Sequence, residues 1–156
     1  MPDMLVKLYE VQEDNKLINR LKEEGIEIRN AIAPEKHIVV NWVKEKFGDF
    51  WSSETEVAFA NHPVSCVIAT KGNEMLGFAC YEATYKDFFG PTGVDEQYRG
   101  KGIGKALLLR SLIKLKEFGY GYAIIGGAGP KKFYEISCGA TIIENSVPGI
   151  YKGMLK

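Results

Sequence analysis

Apolar and polar positions change period several times along the chain, and each change marks an element. Leu5 to Val11 alternates and predicts a short strand. Asp14 then stands where it can cap a helix over NKLINRLKEEG, in which Leu17, Ile18 and Leu21 share a face and Gly25 is the stop. IEIRNAI returns to period two, and Pro34 opens a second helix, PEKHIVVNWVKEKFG, that ends at Gly48. A third helix, capped by Ser52 or Ser53, runs to about Ala60 and is broken by Asn61, His62 and Pro63. Two β-rich runs, VSCVIAT and MLGFACYEATY, flank a hairpin turn at Lys71, Gly72, Asn73 and Glu74.

The next strand, Phe88 to Val94, carries Gly90, Pro91 and Gly93 inside it and is expected to be irregular or splayed, with backbone groups unavailable to one neighbour. Lys101 to Phe118 has the widest apolar helical face, built from Ile103, Leu107, Leu108, Leu112, Ile113 and Leu115, and stops at Gly119. YGYAIIGG predicts a buried strand, PKKFYEISCG a short helix, and ATIIE and GIYKGML two closing strands. With no repeat, low-complexity tract or linker in 156 residues, one α/β domain is expected.

Composition narrows the partners. Apolar residues at 46% and charged residues at 26% suit a chain that folds on its own. Twenty Lys and Arg balance twenty Asp and Glu, so no global field draws the chain to nucleic acid or an anionic membrane, and any basic site must be local. No run approaches the roughly 20 apolar residues of a bilayer span, and the N-terminus lacks a signal pattern. A cytoplasmic location follows by default. Cys66, Cys80 and Cys138 are expected to be reduced core thiols. His37 and His62 fall in no metal-ligand spacing, so no metal is expected.

The local basic site has a clear place. Gly100, Gly102 and Gly104 alternate between the strand ending at Val94 and the strongest helix, so that helix opens on backbone with little side-chain cover. Unpaired first-turn N–H groups and the partial positive charge of the helix end favour a phosphate, and Lys101 and Lys105 add charge. A P-loop would need Ser or Thr after Gly100-Lys101, where Gly102 stands, and a Gly five positions before Gly100. A GxGxxG fingerprint fails as well, because Lys105 and Leu107 occupy its third glycine in the two frames.

The remaining pattern, RxxGxG-like in Arg99, Gly100, Lys101, Gly102, Ile103 and Gly104, resembles the acetyl-CoA pyrophosphate loop of the GNAT (GCN5-related N-acetyltransferase) family. The flanking GVDEQYRGKGIGKALLL extends that similarity. The resemblance runs from roughly Ile26 to the C-terminus and is specific from about Val94 to Ala140. It implies a mixed, mainly antiparallel, twisted α/β sheet with a splayed central strand pair flanked by helices. It further implies that the amides of Arg99 to Gly104 hold the pyrophosphate, with Lys105 beside them, and that Val94 offers its backbone to the pantetheine arm. Acetyl-CoA would be the acyl donor, and an amine, small or on a protein, the acceptor.

Two proton tasks come with direct transfer from sulfur to nitrogen: the acceptor ammonium loses a proton, and the departing thiolate gains a hydrogen-bond donor. Tyr134 in KKFYEISCGA resembles the family's FYExxGF segment, whose Tyr lies near the sulfur as general acid. Ala140 after Gly139, and GGAG where many relatives place an Asn, depart from that pattern. FFGPTGV has no Glu where some relatives keep a base, which leaves Glu82 as first candidate, with Glu54, Glu56, Asp87 and His62 behind it and a water relay equally open. A cysteine nucleophile has no base partner in the sequence. Residues 1–25 are taken as a β-α extension packed on a domain of residues 26–156, with acceptor-site cover and homodimer formation as its other roles. Trp42, Phe47, Phe50 and Trp51 are expected to be core more than ligand wall. The reading from another functional class is a non-catalytic CoA-binding sensory or structural module.

Overall fold

Val67 and Ala69 enter one apolar cluster while their neighbours Cys66 and Ile68 enter another, so the strand that carries them separates two cores. It belongs to a seven-stranded sheet in the computed structural model, which describes residues 1–156. In chain order the elements are β1 (Met4–Lys7), α1 (Asn15–Glu23), β2 (Ile26–Asn30), α2 (Lys36–Phe47), α3 (Asp49–Ala60), β3 (Cys66–Lys71) and β4 (Glu74–Tyr81). They continue as β5 (Phe88–Val94), α4 (Ile103–Glu117), β6 (Tyr122–Ile125), α5 (Lys131–Cys138) and β7 (Thr141–Ile142). The sheet order is β2-β3-β4-β5-β6-β1-β7, antiparallel throughout except for the parallel pair β5 and β6. This is the mixed, mainly antiparallel α/β sheet expected, with helices on both faces.

The larger core joins Leu17 and Leu21 of α1, the apolar face of α4 and Tyr134 of α5 to one face of the sheet. The smaller packs Val39, Val40 and Val43 of α2 and Ala58 and Phe59 of α3 on the other. Trp42, Phe47 and Trp51 close around Phe78 there, with ring centroids 5.9 to 6.2 Å from it, so these aromatics are core. Phe50 stays exposed. Cys66 and Cys80 face each other across β3 and β4 as buried free thiols, and Cys138 is half-buried. No helix is long and apolar enough to cross a membrane.

Several boundaries differ from the periodicity. β1 ends at Lys7 because Leu8–Glu10 coils into a 3₁₀ turn, whose buried Leu8 still reaches the core. α3 begins at Asp49, not at Ser52 or Ser53, because Gly48 (φ 96°) reverses the chain in one residue, and Ser52 is buried rather than capping. The closing strands shrink: β7 keeps only two residues, and Gly149–Tyr151 is a 3₁₀ turn between Gly149 and Gly153, both at positive φ, where a strand cannot run. Residues 1–25 enter the sheet itself, with β1 paired to β6 on one side and β7 on the other, and Asp14 caps α1 through the Leu17 N–H at 3.1 Å.

Candidate active site

β5 and β6 pair at only two positions, Phe88 with Ile124 and Phe89 with Ile125. Beyond them β6 ends, while β5 continues from Gly90 to Val94 paired to β4 alone. The sheet is therefore split along the second half of β5, as the Gly and Pro content predicts. Gly93 is needed there for a close approach, since a Cβ would lie 2.4 Å from the Phe47 ring. At the far end of the split the Val94 carbonyl accepts a 3.2 Å hydrogen bond from Arg99 Nε.

Directly after Val94 the chain passes through Asp95, which caps a 3₁₀ turn through the Gln97 N–H and binds Lys46 at 2.8 Å, and enters the glycine turn. Gly100 (φ 83°) and Gly102 (φ 91°) hold left-handed backbone that favours glycine. α4 then starts on Gly102 with no side-chain cap, and the first backbone bond is Ala106 N–H to the Gly102 carbonyl at 3.0 Å. The amides of Gly102, Ile103, Gly104 and Lys105 are left without an acceptor in the chain. Ile103 is buried and anchors this turn in the core, so the donors are fixed in place. Four convergent N–H groups at a helix N-terminus are what a pyrophosphate needs.

Sequence reasoning missed what braces the turn. α1 lies against it: Leu17 and Arg20 fill the space a Gly102 side chain would take, at 2.7 and 3.0 Å from a Cβ, and Arg20 Nη2 donates to the Lys101 carbonyl at 2.7 Å. Lys101 pairs with Glu24 at 3.3 Å and Lys105 with Asp14 at 3.2 Å. The Leu17 bond and then Lys105 hold the Asp14 carboxyl below its ordinary pKa. Only the amphipathic face of α1 was visible in the sequence. Its docking on a loop about eighty residues away was not. Two grooves adjoin here, one of about 450 Å³ over Gly102 and Lys105, and one of about 540 Å³ between Lys105, Leu109 and the end of α5 at Ser137, Cys138 and Gly139.

Tyr134 stands on the α4 and α5 face of the sheet, packed edge-on to Phe89 with ring centroids 6.3 Å apart. It is 5% exposed, and burial, followed by the nearby Cys138, pushes its phenol up to about 12. Thus Tyr134 lies beside the residue at which β5 and β6 part. Glu82 lies elsewhere, in the turn after β4. Each of its carboxylate oxygens accepts one hydrogen bond, from the Asp87 N–H and from the Tyr120 hydroxyl at 3.0 Å, and its backbone pairs with Phe88. No hydrogen bond joins it to Tyr134. Asp87, raised to about 6 by burial and then by Glu82, belongs to the same turn.

A third group gathers on the opposite face of the split. Glu54 of α3 accepts a hydrogen bond from the Thr84 hydroxyl, and burial raises its carboxyl above the ordinary value against the effect of that bond. Tyr151, which lies 3.0 Å from the position of a Cβ on Gly126, feels the Glu54 charge and the Thr84 hydroxyl. Glu54 was a minor candidate from sequence. Thr84 and Tyr151 carry no local signal, because chain distance hides the grouping.

The sequence model for the acetyltransferase (GNAT) family matches residues 28–139. No curated protein matches the chain. Among solved structures, the GCN5-related glucosamine N-acetyltransferase region of a fungal multi-domain β-N-acetylglucosaminidase superposes with a TM-score of 0.74 at 14% identity, over 91% of this chain and 19% of that one. A GCN5-related N-acetyltransferase from Sphaerobacter thermophilus gives 0.67 at 19% identity, over 91% of this chain and 48% of that one. A conserved protein of unknown function from Staphylococcus epidermidis gives 0.53 at 14% identity, over 91% and 57%. The chain thus spans between about a fifth and just over half of these proteins. At such identities the superpositions speak for the fold, and the family match, covering well over half of the sequence, goes further: the chain belongs to the GNAT acetyltransferase family.

Proposed function

We propose that the chain transfers an acetyl group from acetyl-CoA directly to an amine. One observation carries this reading: the uncapped N-terminus of α4, with four amides lacking acceptors, opens at one end of the β5–β6 split, and Tyr134 stands at the other. The amides of Gly100 to Lys105 would hold the pyrophosphate, the Arg99 N–H being bonded to the Glu96 carbonyl at 3.4 Å, with Lys101 and Lys105 exchanging Glu24 and Asp14 for phosphate. The arm would lie along β5 from Val94 back to Gly90, a span of roughly 13 Å at strand rise, as a substitute for the missing strand partner. The Val94 carbonyl is released to it when Arg99 swings away. The thioester then lies near Gly90, within the reach of Tyr134.

The amine nitrogen attacks the thioester carbon, the carbon–sulfur bond breaks, and the thiolate departs. Moving a proton outright from a phenol at about 12 to an alkyl thiolate near 8.5 is uphill by roughly 5 kcal/mol. Tyr134 therefore acts first as a hydrogen-bond donor to the developing sulfur anion. Its proton is passed on only as the acylated nitrogen sheds one.

The test is thiol release from acetyl-CoA across a panel of amines, with Tyr134→Phe as the comparison. Turnover that falls about 10²-fold or more in the variant, with CoA affinity intact, supports the reading. CoA binding without turnover on any amine turns it to the non-catalytic module.

A further inference from the structure

α3 packs on β3, β4 and β5 over the face of the sheet opposite Tyr134. Along that face most acidic side chains point to solvent, and Glu54 does not. Its carboxylate is half-buried and tied to Thr84, in the turn between β4 and β5. Close by, Phe88 and the Tyr151 hydroxyl crowd Gly126 so tightly that a Cβ there would lie 3.0 Å from each. Gly126 is the first residue after β6, next to the last paired position, Phe89 with Ile125. The Glu54, Thr84 and Tyr151 group therefore sits at the fork of the split, reaching it from the α3 face, while Tyr134 reaches it through Phe89 from the α5 face.

We infer that Glu54, positioned by Thr84 and flanked by Tyr151, is the acceptor site: its carboxylate binds a cationic primary amine at the fork and takes its proton. This rests on the acetyl-transfer reading and supplies its missing half. Donor and acceptor then approach the same carbon from opposite faces of the sheet. The ammonium gives one proton to the Glu54 carboxylate, and the free nitrogen lone pair forms the bond to the carbonyl carbon as the carbon–sulfur bond breaks. The nitrogen loses its second proton, which replaces the one Tyr134 passes to sulfur. Glu54 returns its proton to solvent, and the products are an N-acetyl amide and free CoA.

Three physical points favour Glu54 over the other carboxylates. Glu82 has one oxygen engaged by the Asp87 N–H of its own turn and the other by the Tyr120 hydroxyl. Glu56 is exposed. Glu54 has one oxygen held by Thr84 and one unassigned, and a buried carboxyl of raised pKa is a better base than an exposed one. The other charged group near Tyr151 is Asp3, whose charge adds to the preference of this corner for a cation.

The experiment uses Glu54→Gln, which keeps the oxygen that accepts from Thr84 and removes the charge, with Glu54→Asp as the conservative comparison. Binding of butylamine, putrescine, glucosamine and a peptide with one free lysine is measured calorimetrically in the presence of CoA. At least one should bind the wild type, and Glu54→Gln should weaken it tenfold or more while CoA affinity stays unchanged. Amine binding absent from the wild type, or equal in the variant, overturns the assignment. Because this readout needs no turnover, it separates failure of the acceptor site from failure of acetyl transfer. Where an amine is acetylated, kcat/KM for it should fall about a hundredfold in Glu54→Gln and recover in part in Glu54→Asp. An aromatic amine already neutral at the assay pH should lose less than threefold, and an equal loss for both amines would show that Glu54 serves only the fold.

Discussion

Replacing Gly104 with alanine separates what the glycine turn does for the fold from what it does for a ligand. Gly104 lies in the first turn of α4 at an ordinary helical φ, and a Cβ there would meet Phe133 and Val94 at 3.8 Å, which is normal contact. Alanine is favoured over glycine in a helix by up to about 1 kcal/mol, and part of that gain is expected in a first turn. For a chain of this size the melting temperature should stay level or rise by roughly 1 to 3 °C. The methyl group, however, enters the gap between Val94 and Phe133, beside the unpaired amides. Losing one amide-to-phosphate hydrogen bond, at roughly 1.5 to 3 kcal/mol, raises the Kd for CoA by about tenfold to two hundredfold. Gly102→Ala is the contrasting variant. At φ 91°, with Leu17 and Arg20 within 3.0 Å of the new Cβ, it should destabilise the protein by about 2 kcal/mol or more. Calorimetric CoA titration beside thermal unfolding reads both. Unchanged CoA affinity in a stable Gly104→Ala protein would refute the pyrophosphate role of the turn.

Gly93→Ala should cost about 1 to 3 kcal/mol by forcing a methyl into the Phe47 ring, and Phe47→Leu in the same chain should restore most of it in chemical denaturation. Glu35 is held down to about 2 by its two hydrogen bonds from Arg29, at 2.9 and 2.7 Å, and by the Ile32 N–H. Its folded pKa is depressed, so its contribution is present above the unfolded value near 4.5 and lost as pH falls toward 2. The stability gap between wild type and Glu35→Gln should shrink from about 1 to 2 kcal/mol at pH 7 to near zero at pH 2. Asp14→Asn keeps a good cap for α1 and frees Lys105, so CoA should bind roughly two- to threefold more tightly at low salt with no loss of melting temperature.

Local patterns were legible where a backbone requirement showed in residue type. Gly90, Pro91 and Gly93 predicted the irregular strand because they weaken a ladder, and the split follows β5 where they lie. Gly102 at the start of α4 was legible for the same reason, and its left-handed φ confirms the need for glycine. What the sequence could not show was contact between remote segments. Leu5 alternates correctly for a strand, yet nothing near it says that β1 inserts between β6 and β7, more than a hundred residues away. Alternation at GIYKGML suggested a strand, and two glycines at positive φ made it a turn. Among the carboxylates, residue type alone could not rank Glu82 against Glu54. The difference lies in which oxygens their surroundings already occupy.

The same distinction between groups already paired and groups left free says how a chain with no net charge would hold the polyanion proposed above. Lys101 and Lys105 are neutralised by Glu24 and Asp14 of α1, each pair more than a quarter exposed, and such surface pairs are weak and screened by salt. They exchange partners at little cost and so contribute little net affinity. The amides of Gly102 to Lys105 have no partner to give up, and the chain holds them rigid through Ile103 beneath and Leu17 and Arg20 beside. Affinity for phosphate should therefore come mainly from fixed backbone dipoles, which are less sensitive to salt than the lysines. On this logic α1 is a brace for the donors more than a source of charge, and loss of its packing on Gly102 would weaken the site more than loss of either lysine.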